Sequence, residues 1–225
     1  MKESKRKATT VCLYALFAAI VVLCGVLGKD KWYNVVCSVV AVVYLLLLAD
    51  GKRLGYLLGG AYALGYAVIA FFATLYATAA YHAFALLPTM IYRLTMAKKK
   101  EISANISKLG IKGWVISVCT GAAAAVGLHF LLKFIGDAQP LLDGAVLAVS
   151  LVTVALMFFN YMEMWIFNLA GSLLYVIIWS VQFSRTGEGL AFAVMQTAVS
   201  VINVRGLVQW FKNYRKGVSA TERTE

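Results

Sequence analysis

Charge is scarce in this chain: Asp, Glu, Lys and Arg together make up 14% of its 225 residues. A soluble domain carries about 25% charged residues, so one water-facing globule of this length is excluded, as is a disordered chain. There are only two prolines, against 18 glycines, which excludes a collagen-like fibre and fits tightly packed helices better than a strand-rich barrel. The four cysteines (Cys12, Cys24, Cys37, Cys119) lie in apolar runs without C-x-x-C or Cys/His spacing. That excludes a disulfide scaffold and gives no metal site; they read as small buried apolar residues. The two histidines, His82 and His129, lie on different runs. No H-E-x-x-H, P-loop or G-x-S-x-G motif exists, so neither an enzyme nor a bound cofactor is expected.

What is there is apolar: 62% of the residues, with a mean hydropathy of +0.80. The net charge of +11 does not point to nucleic acid, because Lys and Arg form short clusters between apolar runs rather than one basic face. Seven long charge-free runs stand out: Ala8–Gly28, Trp32–Ala49, Leu54–Tyr92, Gly113–Leu132, Gly144–Met162, Met164–Ser184 and Gly189–Val204. A spanning helix needs about 20 residues. Leu54–Tyr92 as one helix would be roughly 58 Å long, so it must fold back near Phe72–Tyr76. The last run reaches span length if it continues past Arg205 to Phe211. The expectation is an all-α integral membrane protein of about eight transmembrane helices.

With the amino terminus inside, sixteen Lys and Arg fall on the cytoplasmic side; only Lys29, Lys31, Lys133 and Arg185 fall outside, with Arg205 left aside. The opposite orientation violates the positive-inside rule, so both termini are expected on the cytoplasmic side. The first span is too long for a signal peptide and no A-x-A site follows it.

The chain can be laid on itself. Leu64 and Tyr66 align with Leu173 and Tyr175, Tyr56 then matches Trp165, and a small loop shift sets His82 opposite Gln196. Spans two to four and six to eight form two triplets joined by one span, which gives both the same orientation. This predicts two parallel repeats around an axis along the membrane normal, a 3+1+3 plan like that of small SWEET-type sugar carriers, with the solute near the midplane. The organisation expected is 1–30, a cytoplasmic segment and an extra helix; 31–97, the first repeat; 98–136, a polar cytoplasmic loop and the linker helix; 137–216, the second repeat; and 217–225, a disordered tail. Within 98–136, Lys98–Lys112 is either a short amphipathic helix or a solvated loop held to anionic headgroups. Gly55, Gly59 and Ala63 form a small-xxx-small packing stripe.

One cluster points to binding. Trp165, Asn168, Ser172, Tyr175 and Trp179 recur at helical spacing and share one polar-aromatic face. Rings stack on a flat heterocycle and amides or hydroxyls bond its edge; the competing reading is a helix–helix seam. Gln196, Ser200 and Asn203 share a face of the last span. His82 and Thr89 flank Pro88, which is expected to kink their helix. The substrate-binding set is therefore Trp165, Asn168, Ser172, Tyr175, Gln196, Asn203 and His82, with Trp165 and Tyr175 stacking one ring. Arg205 is expected to snorkel to the interface or, if buried, to meet a carboxylate or phosphate. Asn160-Tyr-Met-Glu163 reads as a capping box, leaving Glu163 as a helix cap or a cytoplasmic gate.

Glu163 and Trp165, then Gly206 with Trp210, resemble the PnuC family of vitamin transporters, whose helix carries an E-x-W-x-x-W-x-x-x-[ND]-like stretch. Leu75-Tyr76-Ala77 through His82 resembles that family's L-Y-A-D-A-L-L-Q segment, with His82 where Gln is common. The likeness covers about Trp32–Lys212. Asn168 stands at the second Trp position and Ser172 at the Asn/Asp position. The resemblance implies facilitated diffusion of nicotinamide riboside or another vitamin- or nucleoside-like solute by a homotrimer, with trapping by a cytoplasmic kinase. With no acid between the ends of the spans, a uniporter is expected. The rival class is a capture or assembly subunit that works only with a partner protein docked on the basic 98–112 face.

Overall fold

The computed structural model describes residues 2–50, 52–96 and 106–221. Its helices are α1 (Lys2–Leu27), α2 (Trp32–Ala49), α3 (Leu54–Phe72), α4 (Tyr76–Ala80), a π-helical stretch (Tyr81–Leu86), α5 (Leu87–Met96), α6 (Ile111–Phe134), α7 (Pro140–Phe158), α8 (Met164–Thr186) and α9 (Leu190–Thr221). Five of them, α3, α6, α7, α8 and α9, are long and apolar enough to cross a bilayer; Ala15–Leu27 and Trp32–Leu48 are shorter apolar stretches.

The long run 54–92 does fold back where length demanded. Thr74, in the left-handed region at φ 55°, turns the chain between α3 and α4. Beyond the turn, α4, the π-helical stretch and α5 follow one another without a break. Pro88 lacks the N–H that would bond Phe84 and crowds that carbonyl. The chain answers with a widened π turn just before the proline, where a kink was expected. Such π turns are frequent at functional sites.

Each helix packs on the next in a closed order. α2 lies on α3, and α3 on the α4–α5 helix. The latter lies on α7, α7 on α8, α8 on α9, and α9 back on α2. Six helices thus surround a common interior. α1 lies outside against α2 and α9, and α6 runs along α7. Gly55 lets α2 approach closely: a Cβ there would lie 2.9 Å from the Leu48 backbone nitrogen. The small-residue stripe of α3 is therefore packing.

The turns gather at two ends. At one, the turns before α2, α4, α7 and α9 are knit by aspartates. Asp30 accepts from Gly189 N and Ala191 N, both at 2.6 Å. Asp137 accepts from Tyr76 N at 2.9 Å, and Asp143 from Ala77 N and Thr78 N at 2.9 and 3.1 Å and from the Thr78 hydroxyl. These carboxylates satisfy helix N-terminal amides that have no partner within the helix. Lys31 pairs with Glu188 at 3.1 Å at the same end, and that hydrogen bond raises the Lys31 pKa. At the other end, Arg93 donates to Asn160 Oδ1 at 3.1 Å and to Met157 O, and Arg205 meets Asp50 at 2.9 Å.

Arg205 meets Asp50, the kind of carboxylate partner that was the alternative to snorkelling, and the pair stays partly exposed. Two local expectations change. Asn160 is no helix cap: at φ 59° it closes α7, a position asparagine tolerates in the left-handed region, and Glu163 makes no side-chain cap bond. The predicted capping box fails because the amide ends one helix instead of starting the next. The tail expected to be disordered after Lys216 continues as helix through Thr221. Residues 98–105, with the expected amphipathic helix, lie outside the described residues. Residues 106–110 are not helical, and Ser107 bridges to Tyr161.

Candidate functional site

The predicted face of α8 turns inward: Trp165, Ser172, Tyr175 and Trp179 are all buried. It borders two adjoining cavities inside the helix ring. The upper one lies nearer the aspartate end. Tyr44, Tyr62, Tyr81 and Tyr175 supply rings; His82, Ser150, Thr153, Asn168, Ser172 and Gln196 supply polar groups. The lower one reaches the arginine end and is bordered by Tyr56, Arg93, Asn160, Trp165, Asn168 and Trp210. Asn168 borders both.

Five of the seven residues predicted to bind solute therefore meet at the upper cavity: His82, Asn168, Ser172, Tyr175 and Gln196. Trp165 does not join them. It lies ten residues from Tyr175 on α8, roughly 15 Å along the axis, and borders the lower cavity. One solute ring cannot be stacked by both, which corrects the single-clamp expectation. Asn203 is fully buried and borders neither cavity. It accepts from Asn168 Nδ2 at 2.8 Å and donates to Ser172 Oγ at 3.2 Å, while Ser172 and Ser200 share a bond of 2.9 Å. Site and seam coexist on α8: Asn203 and Ser200 hold the polar side chains from behind.

That seam sets polarity. With its Nδ2 donating to Asn203, Asn168 keeps Oδ1 as an acceptor. His82 Nδ1 lies 2.8 Å from the Thr78 carbonyl. A carbonyl only accepts, so Nδ1 carries the proton and Nε2 is the acceptor of the neutral ring. Thr78 is held by Asp143, so the aspartate cap at the start of α4 also fixes the histidine. Aromatic rings enclose it: Tyr66 at 4.4 Å, Tyr81 at 4.9 Å, Tyr62 at 5.6 Å and Tyr175 at 6.3 Å between centroids. Toward the aspartate end, Tyr66, Trp179 and Phe192 form an aromatic layer, with Trp179 donating to the Tyr66 hydroxyl.

Sequence reading missed Tyr44, Tyr62, Tyr81, Ser150 and Thr153, as well as the structural aspartates. Ser150 and Thr153, three apart on a span, were the available signal; the tyrosines looked like any aromatic in an apolar run. No group of three or more metal-ligating side chains occurs among the described residues. Trp165 Nε1 and Glu163 Oε2 are buried without a hydrogen-bond partner. Glu163 is buried to 2% exposure.

Trp165 is also pressed by Gly206, where a Cβ would lie 2.5 Å from its indole. Gly206→Ala is expected to overpack this contact, which costs about 1–3 kcal/mol. It should lower the melting temperature in detergent; an unchanged melt would show that the indole can shift freely.

A profile described as "Nicotinamide mononucleotide transporter" matches residues 31–212. The chain belongs to this nicotinamide mononucleotide transporter family. It is a multi-pass membrane transporter of the PnuC type and not an enzyme. A relative called nicotinamide riboside transporter PnuC, from Neisseria mucosa, is 25% identical over 211 residues, covering 88% of this chain and 78% of the relative. The crystal structure titled as the vitamin B3 transporter PnuC has the same fold, with a TM-score of 0.80 at 22% identity over 93% of each chain. The family match begins after the end of α1 and stops before the last residues of α9, as the resemblance between Trp32 and Lys212 implied.

Proposed function

We propose that this transporter carries a nicotinamide riboside-like or deoxynucleoside-like solute by facilitated diffusion, without ion coupling. Support comes chiefly from the upper cavity, where two fixed acceptors, Asn168 Oδ1 and His82 Nε2, stand among tyrosine rings. Such a lining suits a flat heterocycle bearing N–H and O–H donors, as a carboxamide and ribosyl hydroxyls do. Tyr175, Tyr62, Tyr44 and Tyr81 would flank the ring; Gln196 and Ser172 would bond its edge. Trp165, with a free indole N–H, would meet the solute in the lower cavity on the way through.

Two parallel three-helix repeats, α2 to α5 and α7 to α9, with α6 as linker and α1 as an addition, give eight spans and the 3+1+3 plan. Pairs matched by the internal alignment support this reading. Tyr66 and Tyr175 meet with centroids 6.3 Å apart, and His82 and Gln196 border the same cavity. The arginine end faces the cytoplasm by the positive-inside rule, with both termini on that side of a bacterial inner membrane. Net uptake would rest on a cytoplasmic kinase that traps the solute, and the assembly would be a homotrimer, as the resemblance implies.

The test is a thermal-shift screen of purified protein against nicotinamide riboside, thiamine, riboflavin and the ribo- and deoxyribonucleosides. A ligand that binds only the folded form stabilises it by RT ln(1 + [L]/Kd), about 2.7 kcal/mol at a hundredfold excess over Kd. A nicotinamide riboside or nucleoside hit is expected. A shift with thiamine or riboflavin alone would overturn the assignment of solute class, and no shift at all would favour a partner-dependent subunit.

A further inference from the structure

The two helix triplets, α2–α5 and α7–α9, meet along two seams: α9 against α2, and the α4–α5 helix against α7. Each seam is fastened at both ends, and the fastenings are exchanged between triplets. At the aspartate end, Asp30 before α2 holds the start of α9, while Asp137 and Asp143 hold the start of α4. At the arginine end, Arg205 of α9 reaches Asp50 in the α2–α3 turn, and Arg93 of α5 reaches Asn160 in the α7–α8 turn. Asp30 and Asp137, Asp50 and Asn160, and Arg93 and Arg205 stand at nearly equal offsets along the chain.

The ends differ in chemistry. The aspartate bonds go to backbone amides at helix starts, with Asp143 fully buried and Asp137 nearly so; breaking them strands N–H groups that have no other partner. The aromatic layer of Tyr66, Trp179 and Phe192 backs them. The arginine bonds run from long side chains to turns. The Arg205–Asp50 pair is partly exposed, at 35% and 20% of the side-chain surface, so water can replace it on release. Arg93 Nε and Arg205 Nη1 are buried with no partner, so neither guanidinium is fully satisfied while fastened. Arg93 and Asn160 also border the lower cavity. Arg93 lies just beyond the π turn and Pro88, and Arg205 is next to Gly206, which touches the Trp165 indole.

We infer that Arg93 and Arg205 are the paired latches of the transport gate: the lower cavity opens at the arginine end when the two exchanged bonds to Asn160 and Asp50 release. This goes beyond the choice of solute and does not depend on it. Both latches belong to one motion, because each ties the last helix of one triplet to the first turn of the other. Asp50–Arg205 is an ion pair, whereas Arg93–Asn160 joins a guanidinium to a neutral amide, so weakening the first should matter more.

The test reads the gate without any solute. Val154 borders the lower cavity. Val154→Cys would be placed in a full-length protein whose four cysteines are replaced, and labelled by a membrane-impermeant maleimide in inside-out vesicles. Arg205→Gln and Arg93→Gln should each raise the labelling rate at least threefold, the former more. The exchange Asp50→Arg with Arg205→Asp should return it toward the starting rate. Asp50→Asn, which keeps an acceptor and is the milder variant, should fall between. A matching reporter at the aspartate end, Leu190→Cys, should not label faster in outside-facing vesicles. Unchanged Val154→Cys labelling in a folded Arg93→Gln/Arg205→Gln protein overturns the proposal, as does equal acceleration at both reporters, which marks general loosening. Loss of folding in both arginine variants together with unchanged labelling in Asp50→Asn also overturns it. If the thermal-shift screen identifies no solute, the labelling result stands or falls by itself.

Discussion

Uptake of nicotinamide riboside by Asn168→Ala is expected to fall roughly tenfold or more, at unchanged membrane abundance, from loss of a half-buried hydrogen-bonding group worth about 1–3 kcal/mol. Asn168 stands where the cavities join, and its amide is oriented by Asn203 at 2.8 Å. Alanine removes the acceptor offered to the solute and also strands Asn203 Oδ1. The companion Trp165→Ala should reduce uptake too, through the lower cavity, while leaving ligand-induced stabilisation closer to normal, because the upper cavity keeps its walls. That split follows from the roughly 15 Å between Trp165 and Tyr175 along α8. Equal uptake in both variants and the parent would remove the pocket assignment.

The second large effect is on stability. Asp143→Ala is expected to abolish a detergent-stable fold, while Asp143→Asn keeps part of it. The carboxylate accepts two backbone amides and one hydroxyl in a site without exposure. Each stranded buried donor costs about 1–3 kcal/mol, so three approach the 5–15 kcal/mol that holds a typical domain together. Asn retains an acceptor oxygen of the same reach. Asp30→Ala, at a half-buried site with two amides, should lower the melting temperature less. Size-exclusion profiles and melting temperatures of the three variants check the order; an Asp143→Ala protein as stable as Asp30→Ala would show that α4 does not depend on this cap.

The five long apolar spans were legible because a bilayer leaves backbone groups no partner but the helix itself, so charge-free length roughly bounds them. The fold-back near Phe72 followed from the same arithmetic. The inward face of α8 was legible from the spacing of Trp165, Asn168, Ser172 and Tyr175. What periodicity could not supply was height: it places Trp165 and Tyr175 on one face but does not say which cavity each reaches. Nor could it separate Asn203, which holds its neighbours, from Gln196, which borders the cavity, since both are amides on the same helix face. Asp143 stood at the end of a charge-free run, where an acid looks like a boundary mark. Its role appears only when α4, over sixty residues earlier, is brought against it. The misread of Asn160 has the same root, because local spacing cannot tell a residue that ends a helix from one that begins the next.

The exchanged aspartate caps also bear on how the chain is made. Tyr76, Ala77 and Thr78 leave the ribosome 61 to 66 residues before the carboxylates that cap them, and Asp30 waits 159 residues for Gly189. During synthesis the start of α4 must therefore keep its bare amides in contact with interfacial water, and that helix can settle to full depth only after α7 arrives. Neither half is complete on its own, so biogenesis ends in a late mutual docking rather than in a stepwise stacking of finished hairpins.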